Sequence, residues 1–330
     1  WDWAMRRGRF AEAWDISDRV LAARSPRDAD RPFIPPHQRF VWTGEALAGK
    51  IVLLRCYHGL GDTLQFIRFA ARLKALGCAV IVQAQPALLP LLETVAGIDS
   101  LTPLDRRTPD PSHEVALEIM ETAHALRIAE VDLSGAMPYL TASESLVAER
   151  TGRMRADGNP RVGIAWTAGD WDKRRTAPLS ALDPLQDLRS VTFYSLQRGG
   201  PEAALNQGAG PTVVNPDDRS CDILATAALI ANLDLVITVD TMVAHLAGGM
   251  GRSVWLLLQH DADWRWMIDR DDSPWYPTMR LFRQPRPGDW TAPIARIAEL
   301  LARYPKPAEP GPNKDGHCGD IWPAECEGLR

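Results

Sequence analysis

A chain of 330 residues, 45% hydrophobic and 24% charged, is long enough for two ordinary domains and is too apolar for disorder to dominate. Its formal net charge of -5 gives no reason to expect nucleic-acid binding, so any attraction for a phosphate-bearing ligand has to be local. No run of about 18 apolar residues exists to span a membrane, and a cytoplasmic protein, at most one working at the inner face of the membrane, is the expectation.

In chain order, residues 1–24 hold Ala4, Gly8, Phe10, Ala13 and Leu21 in two helical stretches broken near Gly8. The arrangement resembles one tetratricopeptide unit, which cannot bury its faces alone and has to pack on a neighbour or on a protein partner. The chain opens on Trp1 with no basic-then-apolar leader, which reads as the stump of a longer protein. Ser25–Gln38, with four prolines, reads as a linker, giving a first segment of 1–38.

Alternation of strand and helix follows. Ile51–Cys56 is a short continuous apolar run, as a strand buried on both faces requires. The pattern predicts a helix over Thr63–Leu76 ended by Gly77, a strand at Ala79–Gln83 and a short helix at Pro86–Val95. A second series starts after Gly152–Asn159, with strands at Arg161–Trp166, Ser190–Leu196, Leu235–Val239 and Ser253–Leu258. Helices are expected at Asp222–Leu233, Met242–Met250 and Trp290–Tyr304. Such β-α order implies parallel sheets, and two series of similar size imply an α/β protein of two facing Rossmann-like domains, 39–150 and 151–304, followed by a tail, 305–330.

Ligands of open α/β sheets sit beyond the carboxyl ends of strands, so the residues after each strand carry the functional reading. After the first strand comes His58-Gly59-Leu60-Gly61-Asp62. The two glycines permit a tight turn and close approach of a ligand, but the third glycine of a dinucleotide fingerprint is missing, which disfavours a nicotinamide enzyme. Asp62 is either a helix N-cap or a general base facing a cleft; His58 is either a turn residue or a ligand contact. After Val162–Trp166 comes Thr167 and then the cluster Lys173-Arg174-Arg175, either a solvated surface run or a diphosphate site. After Leu235–Val239 come Asp240, read as an N-cap, Thr241, which opens the helix, and His245 one turn on. The helix amides there form an anion site, while His245 on its own reads equally as a packed core residue. Asp263–Pro277 is dense in tryptophan, arginine and aspartate. Trp264 and Trp266 either stack a base or sugar or pack under the sheet. Of the cysteines, Cys56 and Cys78 read as buried thiols, and Cys318 and Cys326, beside His317, match no standard zinc spacing.

Taken together, the segments resemble the ADP-heptose:lipopolysaccharide heptosyltransferase family (glycosyltransferase family 9), in particular its branch attached to tetratricopeptide repeats. The pieces that carry the resemblance are Gly59–Phe66, Gln85–Leu92, Val162–Trp166, Arg175–Leu179, Ser195-Leu-Gln197, Asp234–Gly248, Asp263–Trp266 and Ser273–Pro277, spread in order over roughly residues 40–300. The resemblance implies a fold of the glycosyltransferase B type, with acceptor bound mainly by the first domain and donor mainly by the second. It implies an inverting, metal-independent transfer of a heptose or related sugar from a nucleoside diphosphate sugar, an ADP-sugar above others, with no further cofactor. By this resemblance Asp62 is the base. Thr167, Lys173, Arg175, Gln197, Asp240, Thr241 and His245 are donor-side residues, and His58, Gly59, Gly61 and Gln65 line the acceptor side. Many relatives carry an asparagine-arginine pair where this chain has Arg174-Arg175. The acceptor is a saccharide, a lipid-linked sugar or a protein. Two other functions fit the same residues: a catalytically silent sugar-nucleotide or protein-binding module, and a tetratricopeptide-linked protein glycosyltransferase using a UDP-sugar.

Overall fold

A computed structural model describes residues 1–24, 35, 39–105, 107–133, 137–169, 171–197, 210–215 and 222–306. Most of the expected linker, Cys221, and the tail from 307 with His317, Cys318 and Cys326 lie outside the described residues. Two short helices, α1 (Asp2–Met5) and α2 (Phe10–Ala23), precede the first sheet. That sheet has four parallel strands in the order β3-β2-β1-β4: β1 (Ile51–Arg55), β2 (Ala79–Ala84), β3 (Ser100–Pro103) and β4 (Val115–Glu118). Helices α3 (Leu60–Phe66) and α4 (Ala70–Ala75) follow β1, α5 (Leu89–Leu92) follows β2, and α6 (Glu121–Ala125) and α7 (Glu144–Thr151) follow β4.

The second sheet has six parallel strands in the order β10-β9-β8-β5-β6-β7. They are β5 (Arg161–Ala165), β6 (Thr192–Ser195), β7 (Val213–Val214), β8 (Leu235–Val239), β9 (Val254–Leu258) and β10 (Met279–Arg283), with α8 (Ile223–Ala231), α9 (Met242–Gly249) and α10 (Thr291–Leu301). The chain is thus α/β with two parallel sheets, as its alternating pattern predicts. The strand β8, buried along its whole length, carries the continuous apolar run that a central parallel strand needs.

The order shows more strands than the periodicity marked. Β3 contains a proline and is only half-buried, β7 has two residues, and β4 (Val-Ala-Leu-Glu) and β10 (Met-Arg-Leu-Phe-Arg) are too short or too charged to stand out as apolar runs. The helix after β1 begins at Leu60, three residues before its expected start, and passes through a 3-10 turn at Ile67–Phe69 before α4. Gly77, with φ +79, stands just past its end in the left-handed conformation that suits glycine.

The two sheets meet through helices: α3 of the first packs against α9 of the second. Gly61 makes this possible, because a Cβ there would lie 2.8 Å from His245 Cδ2. One continuous body of buried side chains runs from Leu54, Leu64 and Val82 through Leu229 and Leu246 to Val236 and Leu256. A second body, with Ile237, Val239, Ile294, Ile297 and Leu301, lies between the other face of the second sheet and α10. Helix α7 also crosses over, with Thr151 Oγ1 donating to Asn232 Oδ1 (2.6 Å) beside α8.

Helices α1 and α2 bridge both halves. Their apolar face (Phe10, Ala13, Trp14) is buried, and Trp14 Nε1 donates to Ile128 O at 2.7 Å. Asp18 pairs with Arg127 (2.6 Å) and His124 (2.9 Å) on the first half. On the second half, Arg6 O accepts from Ile268 N–H (3.0 Å) and the Arg6 guanidinium meets Asp261 at 3.0 Å. The apolar face of α2 is therefore covered within the chain itself.

Candidate functional site

The carboxyl ends of both sheets open on one cleft of about 850 Å³. Its first wall is the segment after β1. Gly59 has an extended backbone (φ -68, ψ 164) and is the N-cap of α3; Asp62 is its third residue, not the cap. The Asp62 carboxylate reaches back through Oδ2 to accept the Gly59 N–H at 2.9 Å, which satisfies one of the helix's orphan amides. Its Oδ1 accepts from Arg265 Nη2, a guanidinium supplied by the opposite half of the chain. Arg265 is 9% exposed, sits in the 3-10 turn Trp264–Trp266, pairs also with Asp263 (3.0 Å) and lies 5.0 Å over the Trp264 ring.

The second wall is built on β5, β6 and β8. Gln197 Oε1 accepts the N–H groups of Trp166 and Thr167 (3.1 and 2.9 Å), fixing the backbone where the chain leaves β5. The cations Lys173, Arg174 and Arg175 form a 3-10 turn capped by Asp172, and such a turn points successive side chains in different directions. Arg174 makes a two-pronged bond to Asp172 (2.9 and 2.8 Å), which holds that carboxyl well below the usual range. Arg175 is half-buried and donates from Nη1 to the Asp240 carbonyl at 3.1 Å. After β8, Thr241 is the N-cap of α9, accepting the Val243 N–H at 3.3 Å; Asp240 precedes the cap.

Two groups here have shifted protonation. Burial first, and the neighbouring Asp263 second, push the Asp240 carboxyl up to about 6. Burial, followed by the fields of Arg265, Arg68 and Arg175, holds His245 well below its ordinary value, so its ring is neutral at neutral pH. His245 shares a 2.9 Å hydrogen bond between Nδ1 and the Tyr276 hydroxyl and stacks on Trp266 at 5.5 Å.

The cleft brings together His58, Gly59, Gly61, Asp62, Thr167, Arg175, Gln197, Asp240, Thr241 and His245. Two expected members stand apart. Gln65 is fully buried and does not line the cleft: one helical turn beyond Asp62, roughly 4.5 Å along the axis, it has moved below the rim into the packing. Lys173 is exposed and does not line the cleft, whereas Arg174 and Arg175 do. Gly59 and Gly61 have structural duties besides lining the cleft, since Gly61 admits His245 and Gly59 caps α3. Trp266 is wholly buried, while half-buried Trp264 lines the cleft with its ring edge-on to Trp1 at 5.1 Å.

Sequence reasoning gave no role to Arg265, Asp172 or Arg6. Arg265 lies within the Asp263–Trp266 piece and Asp172 just ahead of the basic cluster, and an arginine set among aspartates was the available signal. Arg6 comes from α1, far away in sequence, and nothing local marks it as part of the cleft.

No protein-family model matches the chain. Protein FlbA of Caulobacter vibrioides is 25% identical over 342 residues, covering 90% of this chain and 53% of its own length, so the chain spans about half of that curated relative. Among solved structures, a glycosyl transferase family 9 protein from Veillonella parvula superposes with a TM-score of 0.57 at 12% identity, over 78% of this chain and 99% of that one. The ADP-heptose lipopolysaccharide heptosyltransferase II of E. coli superposes with a TM-score of 0.52 at 14% identity, over 77% and 98%. The chain has the fold of these glycosyltransferase family 9 structures, which is the fold its sequence motifs lead one to expect.

Proposed function

We propose that the chain transfers a glycosyl unit from a nucleoside diphosphate sugar to an acceptor hydroxyl by a single, inverting displacement. The observation that carries this reading is one cleft with Asp62 on one wall and, on the other, Arg175 beside the Thr241-capped start of α9. Residues 39–150 are the acceptor side and 151–304 the donor side. The acceptor oxygen attacks the anomeric carbon, its proton passes to Asp62, and the bond to the diphosphate oxygen breaks with its electron pair leaving on the nucleoside diphosphate. Although both Asp62 oxygens already accept a bond, a carboxylate has about four lone-pair sites, which leaves room for an acceptor hydroxyl. The departing charge is met by Arg174, Arg175 and the positive end of α9, a field already in place before the reaction starts. Gln197 acts by holding the Thr167 backbone in place. The fold shared with an ADP-heptose-dependent transferase favours an ADP-sugar as donor, with a saccharide, lipid-linked sugar or protein as acceptor.

A thermal-shift screen with ADP- and UDP-sugars, followed by measurement of released nucleoside diphosphate, tests this. A donor at 100 times its dissociation constant adds about 2.7 kcal/mol of stability, so an ADP-sugar is expected to raise Tm. No shift with any nucleotide sugar overturns the reading. Binding with no release in the presence of any acceptor class reduces the chain to a binding module.

A further inference from the structure

Gln259 follows β9 directly, lines the cleft and has no part in the transfer just described. It is 9% exposed, and its Nε2 donates to Asp172 Oδ2 at 3.1 Å. That bond fixes which end of the amide is which. Both Asp172 oxygens accept from Arg174, Oδ1 from Nε (2.9 Å) and Oδ2 from Nη2 (2.8 Å), so the carboxylate stays ionised at neutral pH and can only accept. A glutamine oxygen turned toward it would set acceptor against acceptor, so the NH₂ faces Asp172 and Oε1 is left on the other side of the amide. Oε1 has no hydrogen-bond partner among the described residues. The backbone beside it is held: Gln284 Oε1 accepts the His260 N–H (3.3 Å), and the Gln284 N–H donates to Leu258 O (2.9 Å).

Strand β8 lies between β5 and β9, which puts Gln259 on the β9 side of the Thr241-capped start of α9. Further along the segment that Gln259 begins, Arg265 bonds to Asp62. The stretch from Gln259 to Arg265 therefore leads from the donor-phosphate end of the cleft to the base. In a single displacement the anomeric carbon lies between the acceptor hydroxyl at Asp62 and the leaving oxygen at α9, so the ring being transferred lies along this stretch. The carboxylates there are already engaged, Asp261 with Arg6 (3.0 Å) and Asp263 with Arg265 (3.0 Å).

We propose that Gln259 is a specificity-determining residue whose Oε1 accepts a hydrogen bond from a hydroxyl of the transferred sugar. This rests on the glycosyl-transfer reading for the identity of the ligand. An amide oxygen held in this way is a pure acceptor. It pairs with a free hydroxyl. A sugar with hydrogen or an O-linked substituent at that position leaves it unpaired in a nine-tenths buried side chain, which counts against such donors.

Calorimetric titration of ADP and of ADP-heptose into the full chain and into Gln259→Leu tests this. Leucine fills similar space without the amide. ADP-heptose affinity is expected to fall roughly tenfold in the variant, while ADP, which lacks the sugar, binds as before. Unchanged ADP affinity also shows that the variant is folded. Equal weakening of both ligands places Gln259 on the nucleotide and overturns the proposal, as does ADP-heptose affinity that the substitution leaves unaltered. A second measurement needs no ligand and no variant. In the ¹⁵N-labelled chain the Gln259 side-chain amide protons are expected to exchange slowly with solvent because of the bond to Asp172. Rapid exchange, as for an unbonded amide, overturns the proposal even where Gln259→Leu does not fold. Failure of both nucleotides to bind the unsubstituted chain removes the ADP-sugar donor and this proposal with it. ADP-heptose binding that ignores the substitution strikes this proposal alone and leaves glycosyl transfer standing.

Discussion

Asp62 shows how far a single position can be read. Its place after the first strand marks it as either a cap or a base. The folded chain makes it a helix residue that reaches back to an amide while also touching an arginine from another part of the sequence. The local half of this was legible in the Gly-Leu-Gly-Asp motif, but the Arg265 contact was not, because no pattern within a few residues records a partner 203 positions away. With the base assignment, Asp62→Asn is expected to lower turnover by roughly 10²–10⁴-fold and leave donor affinity nearly unchanged. Steady-state rates paired with calorimetric donor titration check this, and turnover like that of the unsubstituted chain would refute the assignment. Asp240 gives a second test. Its carboxyl, raised to about 6, is ionised above that value and repels a diphosphate, whereas below it the repulsion is gone. Both phosphates of a nucleoside diphosphate sugar are esterified and do not titrate there, so donor affinity should rise as pH falls through about 6, by roughly tenfold across the transition. Asp240→Asn should flatten that dependence; a dependence unchanged in the variant would place the titrating group elsewhere.

Among the elements, the long apolar strands were plain in the sequence because a parallel strand covered on both faces admits few polar residues. What escaped were β3, β4, β7 and β10: β3 holds a proline, β7 has two residues, and Glu118 in β4 and Arg280 and Arg283 in β10 break the run. They are edge strands in their sheets, where a sequence is less constrained. The pairing of α3 with α9 was equally hidden, though Gly61 is its signature in retrospect. Alanine at position 61 would gain roughly 0.5–1 kcal/mol from helix propensity. Against that stands the 2.8 Å approach to His245 Cδ2, on a ring that stacks on Trp266 and bonds to Tyr276 and so has little space to retreat. Overpacking of this kind costs about 1–3 kcal/mol, so Gly61→Ala should be a net destabilisation, read as a lower Tm. A higher Tm would mean that the His245 shelf yields and that α3 and α9 are not tightly apposed.

For the whole molecule, two β-α series in the sequence suggest two units, and two sheets are present. The buried body that runs from Leu54 to Leu256 nevertheless passes through both, joined by α8 and α9. Denaturant unfolding is therefore expected as one transition, with tryptophan fluorescence and far-ultraviolet dichroism coincident. Two separated transitions would show that each sheet keeps its own core. The bridging pair α1 and α2 adds to this unity, and its position has a further result. Trp1 rests edge-on against Trp264, and Arg6 lines the cleft directly, so both residues that flank α1 stand at the cleft's mouth. The same short helix thus helps to join the two halves and to frame the opening between them, and loosening it would alter both together.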